Sequence, residues 1–344
     1  MRHVAAALLL LGAVACGDGS VGAVSEQPRT VLQVRDADDG AVLREVELEA
    51  TAGATEPVLA SDVVLVATGA GLTAFDLASG ERRWTEAGAR LPAAVVGDVV
   101  VVARAGGLTT RRTTGEVLWS RDTRGQVVQA WEDQGTVLLD DGGAVSLLDP
   151  ETGTARWTTR LDCRPDGNSS VVSGTHALVG CGASDGSGLL TALSLSDGAV
   201  AWTWESTGSI SRSAAAGEHP AVLVDGVAYG LDPVTGRERW HTPTDSSPQR
   251  YAPLLDSDRT TGFLRDPVTG SRSAGSVPVS YGLTAHEGVL FGGDGETLRA
   301  VQAGDGDERW TSPLVRGPRP ITYLDADDDH VVSVTGVGQE EYRD

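Results

Sequence analysis

From about residue 30 onward, apolar positions fall in short β-branched runs separated by glycine and aspartate. Val63-Val-Leu-Val66 is one such run. Gly69-Ala-Gly71 interrupts it, Leu72-Thr-Ala-Phe75 resumes it, Asp76 to Gly80 turns the chain, and Glu81-Arg-Arg-Trp84-Thr85 runs back. Short runs bounded by turn residues predict strands joined as hairpins. The same order of residue types returns at Val99 to Ser120, Thr136 to Thr158 and Val289 to Thr311. No segment after residue 30 sustains a helical period, so the expectation is an all-β chain.

A turn followed by a tryptophan sets the period, which is about 38 residues. The copies are Asp76 to Trp84, Arg111 to Trp119, Asp149 to Trp157, Ser194 to Trp202, Asp232 to Trp240 and Gln302 to Trp310. Asp36 to Gly40 and Asp266 to Gly270 keep the turn and place Arg44 and Ala274 where the tryptophan belongs. The aspartate side chain can accept from backbone amides just ahead of it, and the glycine supplies the positive φ that closes the loop. Four residues later the tryptophan, on the returning strand, can fill space between one sheet and the next while its indole N–H finds an acceptor. A four-stranded sheet cannot bury both faces alone, so neighbours must stack, and radial stacking gives a β-propeller.

The ends of the chain set the closure. It enters with a hairpin, Thr30 to Leu48, and finishes with two strand candidates, Ile321 to Leu324 and His330 to Val334. Combining them in one blade closes the ring and removes open edges. The expectation is an eight-bladed β-propeller of four-stranded blades closed by shared N- and C-terminal strands, with seven blades as the alternative if Asp266 to Ala274 is irregular.

Motifs of this form resemble the PQQ-like (quinoprotein-type) β-propeller repeat family, which includes quinoprotein dehydrogenases and the assembly lipoprotein BamB. The resemblance covers roughly residues 30 to 335. It implies that Trp84, Trp119, Trp157, Trp202, Trp240 and Trp310 are structural blade anchors rather than functional groups. The dehydrogenases hold PQQ and calcium through Glu, Asn and Asp, and many set a disulfide of adjacent cysteines against the quinone. This chain has no adjacent cysteines, its sole Asn is Asn168, and it is shorter than those enzymes. The six histidines show no His-x-x-x-His spacing, and no Ser-x-x-Lys pair or P-loop is present. Asp36 to Gly40 and Asp325 to Asp329 are acidic but complete no EF-hand loop. No catalytic, cofactor-binding or metal-ligating residue is therefore assigned.

Compartment follows from the first residues and the cysteines. Arg2 precedes a short apolar stretch, Val4 to Val14, too short to span a membrane. Residues 1–15 read as a signal peptide, Cys16 as a lipidation site, 16–29 as a Gly/Ser/Asp-rich tether, 30–335 as the propeller and 336–344 as a tail. In an exported chain Cys163 and Cys181 are expected to pair. The formal charge of −21 with no lysine repels nucleic acid and anionic headgroups. The functional expectation is a non-enzymatic, monomeric ring held at the extracytoplasmic face of a membrane and serving as a protein-interaction scaffold for an envelope protein. The alternatives are a PQQ-dependent oxidoreductase and a small-ligand or glycan-binding propeller using the irregular segments Cys163 to Asn168, Ala183 to Gly188 and Asp256 to Thr261.

Overall fold

The computed structural model describes residues 30–48, 57–68, 70–89, 92–104, 107–122, 126–131, 136–140, 143–163, 165–182, 186–244, 254–257, 260–279, 282–314 and 320–337. Every regular element in them is a β-strand, and the strands form eight antiparallel sheets.

Strands are lettered A to D within each blade, A lying nearest the axis. Blade 1 consists of Val58–Ala60, Val63–Thr68, Gly71–Asp76 and Arg82–Glu86. Blade 2 runs Pro92–Val96, Val99–Arg104, Gly107–Arg112 and Val117–Asp122; blade 3 runs Gln126–Trp131, Thr136–Asp140, Ala144–Leu148 and Ala155–Arg160. Blade 4 is Pro165–Ser173, His176–Gly182, Gly188–Ser194 and Val200–Ser206, and blade 5 is Ile210–Ala216, His219–Val224, Val227–Leu231 and Glu238–Pro243. Blade 7 follows with Leu283–His286, Val289–Gly293, Thr297–Gln302 and Glu308–Pro313. Blade 8 takes Pro320–Ala326 and His330–Val337 from the end of the chain and Thr30–Asp36 and Val42–Leu48 from its start. The central join pairs Val34 with Val332, so the two ends of the propeller share one sheet. Successive A strands touch from blade 1 to blade 5 and again from blade 7 through blade 8 back to blade 1.

The sixth sheet departs from the rule. It has three strands, Leu255–Ser257, Thr261–Leu264 and Val277–Pro278, with an isolated Arg265–Arg272 bridge beside its turn. This is the hairpin whose irregularity the sequence singled out. The described residues therefore make seven four-stranded blades, the alternative count, plus this reduced sheet. Residues 245–253, which precede it, lie outside the described residues.

Burial explains the sequence pattern. B and C strands are covered on both faces by neighbouring blades, so they read as continuous apolar runs. Val63, Val64 and Leu65 are wholly buried, as are Val100, Val101 and Val102. Each such side chain contributes roughly 1.5–3 kcal/mol. D strands are the outer rim: Ala155–Arg160 and Glu238–Pro243 bury their tryptophan and leave most neighbours exposed or half-exposed. There is no single core. Apolar clusters sit at the seams: one joins Val289, Leu298 and Trp310 of blade 7 to Ala37 and Val331 of blade 8. Another joins Leu65 and Leu72 of blade 1 to Val100 and Val102 of blade 2.

Candidate functional site

The repeated turn is the starting point. Asp149 Oδ1 accepts from the amides of Glu151 (3.1 Å) and Thr152 (2.9 Å). Asp232 does the same for Val234 (3.1 Å) and Thr235 (2.9 Å), and Asp266 for Val268 (2.9 Å) and Thr269 (2.7 Å). The second carboxylate oxygen takes the arginine just before the tryptophan: Arg83 on Asp76 and Arg239 on Asp232. The Arg83 guanidinium and the Ser79 amide hold the Asp76 carboxyl down at about 2, from an ordinary 3.8. Arg239 and the Thr235 amide likewise lower Asp232. In blade 2 the turn starts with Arg112 and is one residue shorter, Gly115 donating to the Arg112 carbonyl.

A β-bulge next to each tryptophan turns its ring toward the following blade; in blade 5 the register shifts between Gly230 and Leu231, and in blade 7 between Ala300 and Val301. Each indole N–H then donates to the carbonyl of the second turn residue of that blade. The pairs are Trp84–Thr113 (2.8 Å), Trp119–Pro150 (2.9 Å), Trp157–Leu195 (3.0 Å), Trp202–Pro233 (3.0 Å), Trp240–Pro267 (3.0 Å) and Trp310–Ala37 (2.9 Å). The next turn's glycine lies against the ring. A Cβ on Gly270 would stand 2.6 Å from the Trp240 ring, at a φ of +72°, so this position needs glycine for space and for backbone alike.

The two seams without tryptophan use other donors. Arg44 Nε donates to the Ala78 carbonyl in the turn of blade 1. At the sixth sheet the Gly275 amide donates to Ala303 (2.9 Å). Sequence reading identified Arg44 and Ala274 as replacements and missed the compensation.

Three seams contain a feature with no periodic signal. The residue just before the turn is Phe75, Leu148, Leu193, Leu231 or Val301 in five sheets, but Arg35, Arg111 or Arg265 in the others. All three arginines are buried. Arg35 donates to Ser333 Oγ (2.8 Å), Gln33 Oε1 (2.6 Å) and the Pro313 carbonyl (2.9 Å) of the preceding blade, and burial lowers its pKa to about 10. Arg111 pairs with Glu86 across the first seam and lies 4.7 Å over the Trp84 ring. Arg265 pairs with Asp256, both inside the sixth sheet.

Because A–B and C–D turns lie at one end of antiparallel sheets and B–C and D–A loops at the other, the ring has two chemically different ends. The first carries the aspartate turns. There His286 and Glu287 of blade 7 meet Asp328 of blade 8, with one ligand atom from each within 4.8 Å of the others and His286 Nε2 2.7 Å from Asp328 Oδ1. Glu287 and Asp328 are exposed to solvent. Of the acidic stretch flagged in the sequence, Asp325 accepts from the Leu59 amide (2.8 Å) and Asp327 from the His330 amide (2.7 Å).

The second end carries the disulfide. Cys163, in the D–A loop before blade 4, is bonded to Cys181 of strand B, with Cα atoms 5.9 Å apart, so the expected pairing is present. Of the irregular segments flagged in the sequence, residues 164, 183–185 and 258–259 lie outside the described residues, while Asp256 and Thr261 belong to the sixth sheet. The expectation that the chain holds no Gly-x-Ser-x-Gly motif is wrong: Gly182-Ala-Ser-Asp-Gly186 has that nucleophile-elbow spacing. Strands flank it on both sides, not the strand and helix that an elbow requires. Cys16 lies outside the described residues. Thr30 opens a C strand, so the chain enters the ring at this second end.

Comparison with known proteins agrees with this architecture. A family profile described as outer membrane protein assembly factor BamB matches residues 6–131, 72–208, 108–265 and 141–331, overlapping windows of a repeating chain. BamB from Moraxella catarrhalis has a similar structure: TM-score 0.54 at 17% identity, covering 84% of this chain and 99% of that one. Quinohemoprotein alcohol dehydrogenase ADHIIG from Pseudomonas putida HK5 is similar at TM-score 0.50 and 15% identity, covering 89% of this chain and 71% of that one. Dihydro-heme d1 dehydrogenase NirN, in complex with DHE, gives 0.56 and 14%, covering 83% and 73%. At such identities the solved structures establish the fold alone. No curated relative matches the sequence. With a profile matched from residue 6 to residue 331, the chain belongs to the family described as outer membrane protein assembly factor BamB.

Proposed function

We propose that this protein is a membrane-tethered, extracytoplasmic scaffold whose ring binds an envelope protein and carries out no reaction of its own. The observation that carries the reading is one of extent. The chain covers 99% of a BamB but 71% and 73% of two dehydrogenases of similar fold, so this fold accounts for the whole of the assembly factor and for only part of those enzymes. The family's description supplies the context, assembly of outer membrane proteins. The turn aspartates are engaged by amides of their own turns and the seam tryptophans by backbone carbonyls of the next turn, which leaves the loops and blade surfaces as the binding elements.

Cys16 is the proposed lipid attachment and residues 1–15 the signal that precedes it. The tether then joins the ring at Thr30, at the disulfide end. In the fractionated envelope, the intact chain is expected with membranes and the Cys16→Ala form in the soluble fraction. Equal membrane retention of both would overturn the tether.

A second reading is a PQQ-dependent oxidoreductase, favoured by the quinohemoprotein alcohol dehydrogenase neighbour. Calorimetric titration of residues 17–344 with PQQ, with and without calcium, separates the two. The scaffold reading expects no heat of binding; calcium-dependent micromolar binding would replace it with the enzyme.

A further inference from the structure

One seam differs from its siblings in a way the fold does not require. The residue after each tryptophan position pairs across the sheet with a C-strand residue, and both face the preceding blade. In most blades the pair is polar: Thr73 with Thr85 (3.1 Å), Thr109 with Ser120 (3.2 Å), Ser146 with Thr158 (2.8 Å) and Gln33 with Glu45 (2.9 Å). In blade 5 it is Tyr229 with His241, ring centroids 5.7 Å apart. Opposite them, two residues after Trp202, blade 4 places Trp204, where other blades have Val46, Glu86, Arg121, Thr159, Thr242 or Ser312. Trp204 and Tyr229 lie 5.5 Å apart at 54°. Three rings thus cross the outer mouth of this seam. Trp204 and Tyr229 are partly buried against its core, while 61% of the His241 side chain is exposed.

The chain itself shows what such faces take. Arg111 covers Trp84 at 4.7 Å in the first seam, and Arg272 covers Phe263 at 4.1 Å in the sixth sheet. Among the described residues no arginine covers Trp204 or Tyr229. A carboxylate stands beside the row: Glu238 Oε1 is 2.6 Å from His241 Nδ1, with 41% of its side chain exposed. The chain carries a net charge of −21, complementary to a basic partner.

We infer that the seam between blades 4 and 5 docks an arginine-bearing segment of the partner protein, its guanidinium lying over Trp204 and Tyr229 with Glu238 as the counter-charge. This rests on the scaffold reading and names the chemistry of the partner.

The test uses the full ring labelled with 5-fluorotryptophan, the Trp204 signal being assigned with Trp204→Phe. The probes are acetyl-Gly-Arg-Gly-Arg-Gly-amide, its citrulline counterpart (equal in shape, uncharged) and a chitin oligosaccharide, all at physiological salt. The arginine peptide is expected to shift the Trp204 signal saturably, the citrulline peptide to bind about tenfold more weakly. The double change Trp204→Thr, Tyr229→Thr installs hydroxyls that other seams already carry, and is expected to abolish binding of the arginine peptide, read by calorimetry because this variant lacks the Trp204 signal, without unfolding the ring. Glu238→Gln, at the surface, is expected to weaken binding several-fold. Equal binding of the arginine and citrulline peptides, or a Trp204 shift with the oligosaccharide alone, overturns the inference. If the peptide leaves Trp204 unmoved while the intact chain still crosslinks to a protein in cells, the seam assignment fails and the scaffold reading stands. If the peptide binds there and no crosslink forms, the seam chemistry stands and the scaffold reading fails.

Discussion

At the residue scale, two side-chain types hold the ring together: a tryptophan reaching forward to the next blade, and a turn aspartate tying down its own loop. The tryptophan was legible in the sequence because it recurs; its acceptor, a backbone carbonyl one blade away, was not. Trp240 is 9% exposed, fills the seam to Gly270 and donates to Pro267, so Trp240→Ala is expected to cost about 3–5 kcal/mol in urea unfolding. A loss below 1 kcal/mol would show that the seam repacks without it. The aspartates predict a pH dependence. Asp76 has its folded pKa depressed from 3.8 to about 2, so its contribution is complete above the unfolded value and is lost as pH falls through the folded one. The urea midpoint should drop between about pH 4 and pH 2, and Asp76→Asn should flatten part of that slope. An unchanged slope in the variant would remove Asp76 from the account.

At the scale of strands and blades, the sequence exposed the hairpins clearly because B and C strands are buried on both faces and the turns carry their own chemistry. It was less informative where a blade leaves the pattern. The hairpin at Asp266 to Gly270 keeps a regular turn, with Asp266 accepting from Thr269, yet belongs to a three-stranded sheet. The buried Arg265–Asp256 pair inside that sheet left no periodic trace, since an arginine before the turn looks like any surface charge until the neighbouring strand covers it. Removing one member strands a buried charge. Arg265→Met is expected to cost about 3–5 kcal/mol, and adding Asp256→Leu to recover most of that loss, as read by paired denaturation curves. No recovery in the double variant would mean the pair is held by its other contacts. The Cys163–Cys181 bridge closes a separation of 18 residues at the entry to blade 4. Replacing both cysteines with serine should lower stability by about 2–4 kcal/mol, checked by unfolding with and without reductant on the parent protein.

For the whole molecule, the charge and the repeat together favour a surface function. A ring whose repeated aspartates and tryptophans are engaged by the turns around them offers its loop ends and outer seams to a partner. The N-terminal features proposed to place it at a membrane, read from Arg2 through Cys16, lie outside the described residues, and fractionation of the Cys16→Ala form tests them. The candidate docking seam was invisible to sequence reasoning because Trp204, Tyr229 and His241 are spread over about 40 residues and meet only when blades 4 and 5 stack.

The most direct test of the scaffold account is photo-crosslinking in living cells from single sites around the tethered ring. Benzoylphenylalanine would replace Glu151 or Asp305 on the aspartate-turn end, Asp162 or Glu296 on the disulfide end, and His241 at the seam between blades 4 and 5. The account predicts one discrete crosslinked polypeptide, formed from a contiguous group of these positions and absent from the others. No discrete product from any position, at expression levels where the ring is folded and exported, would contradict it.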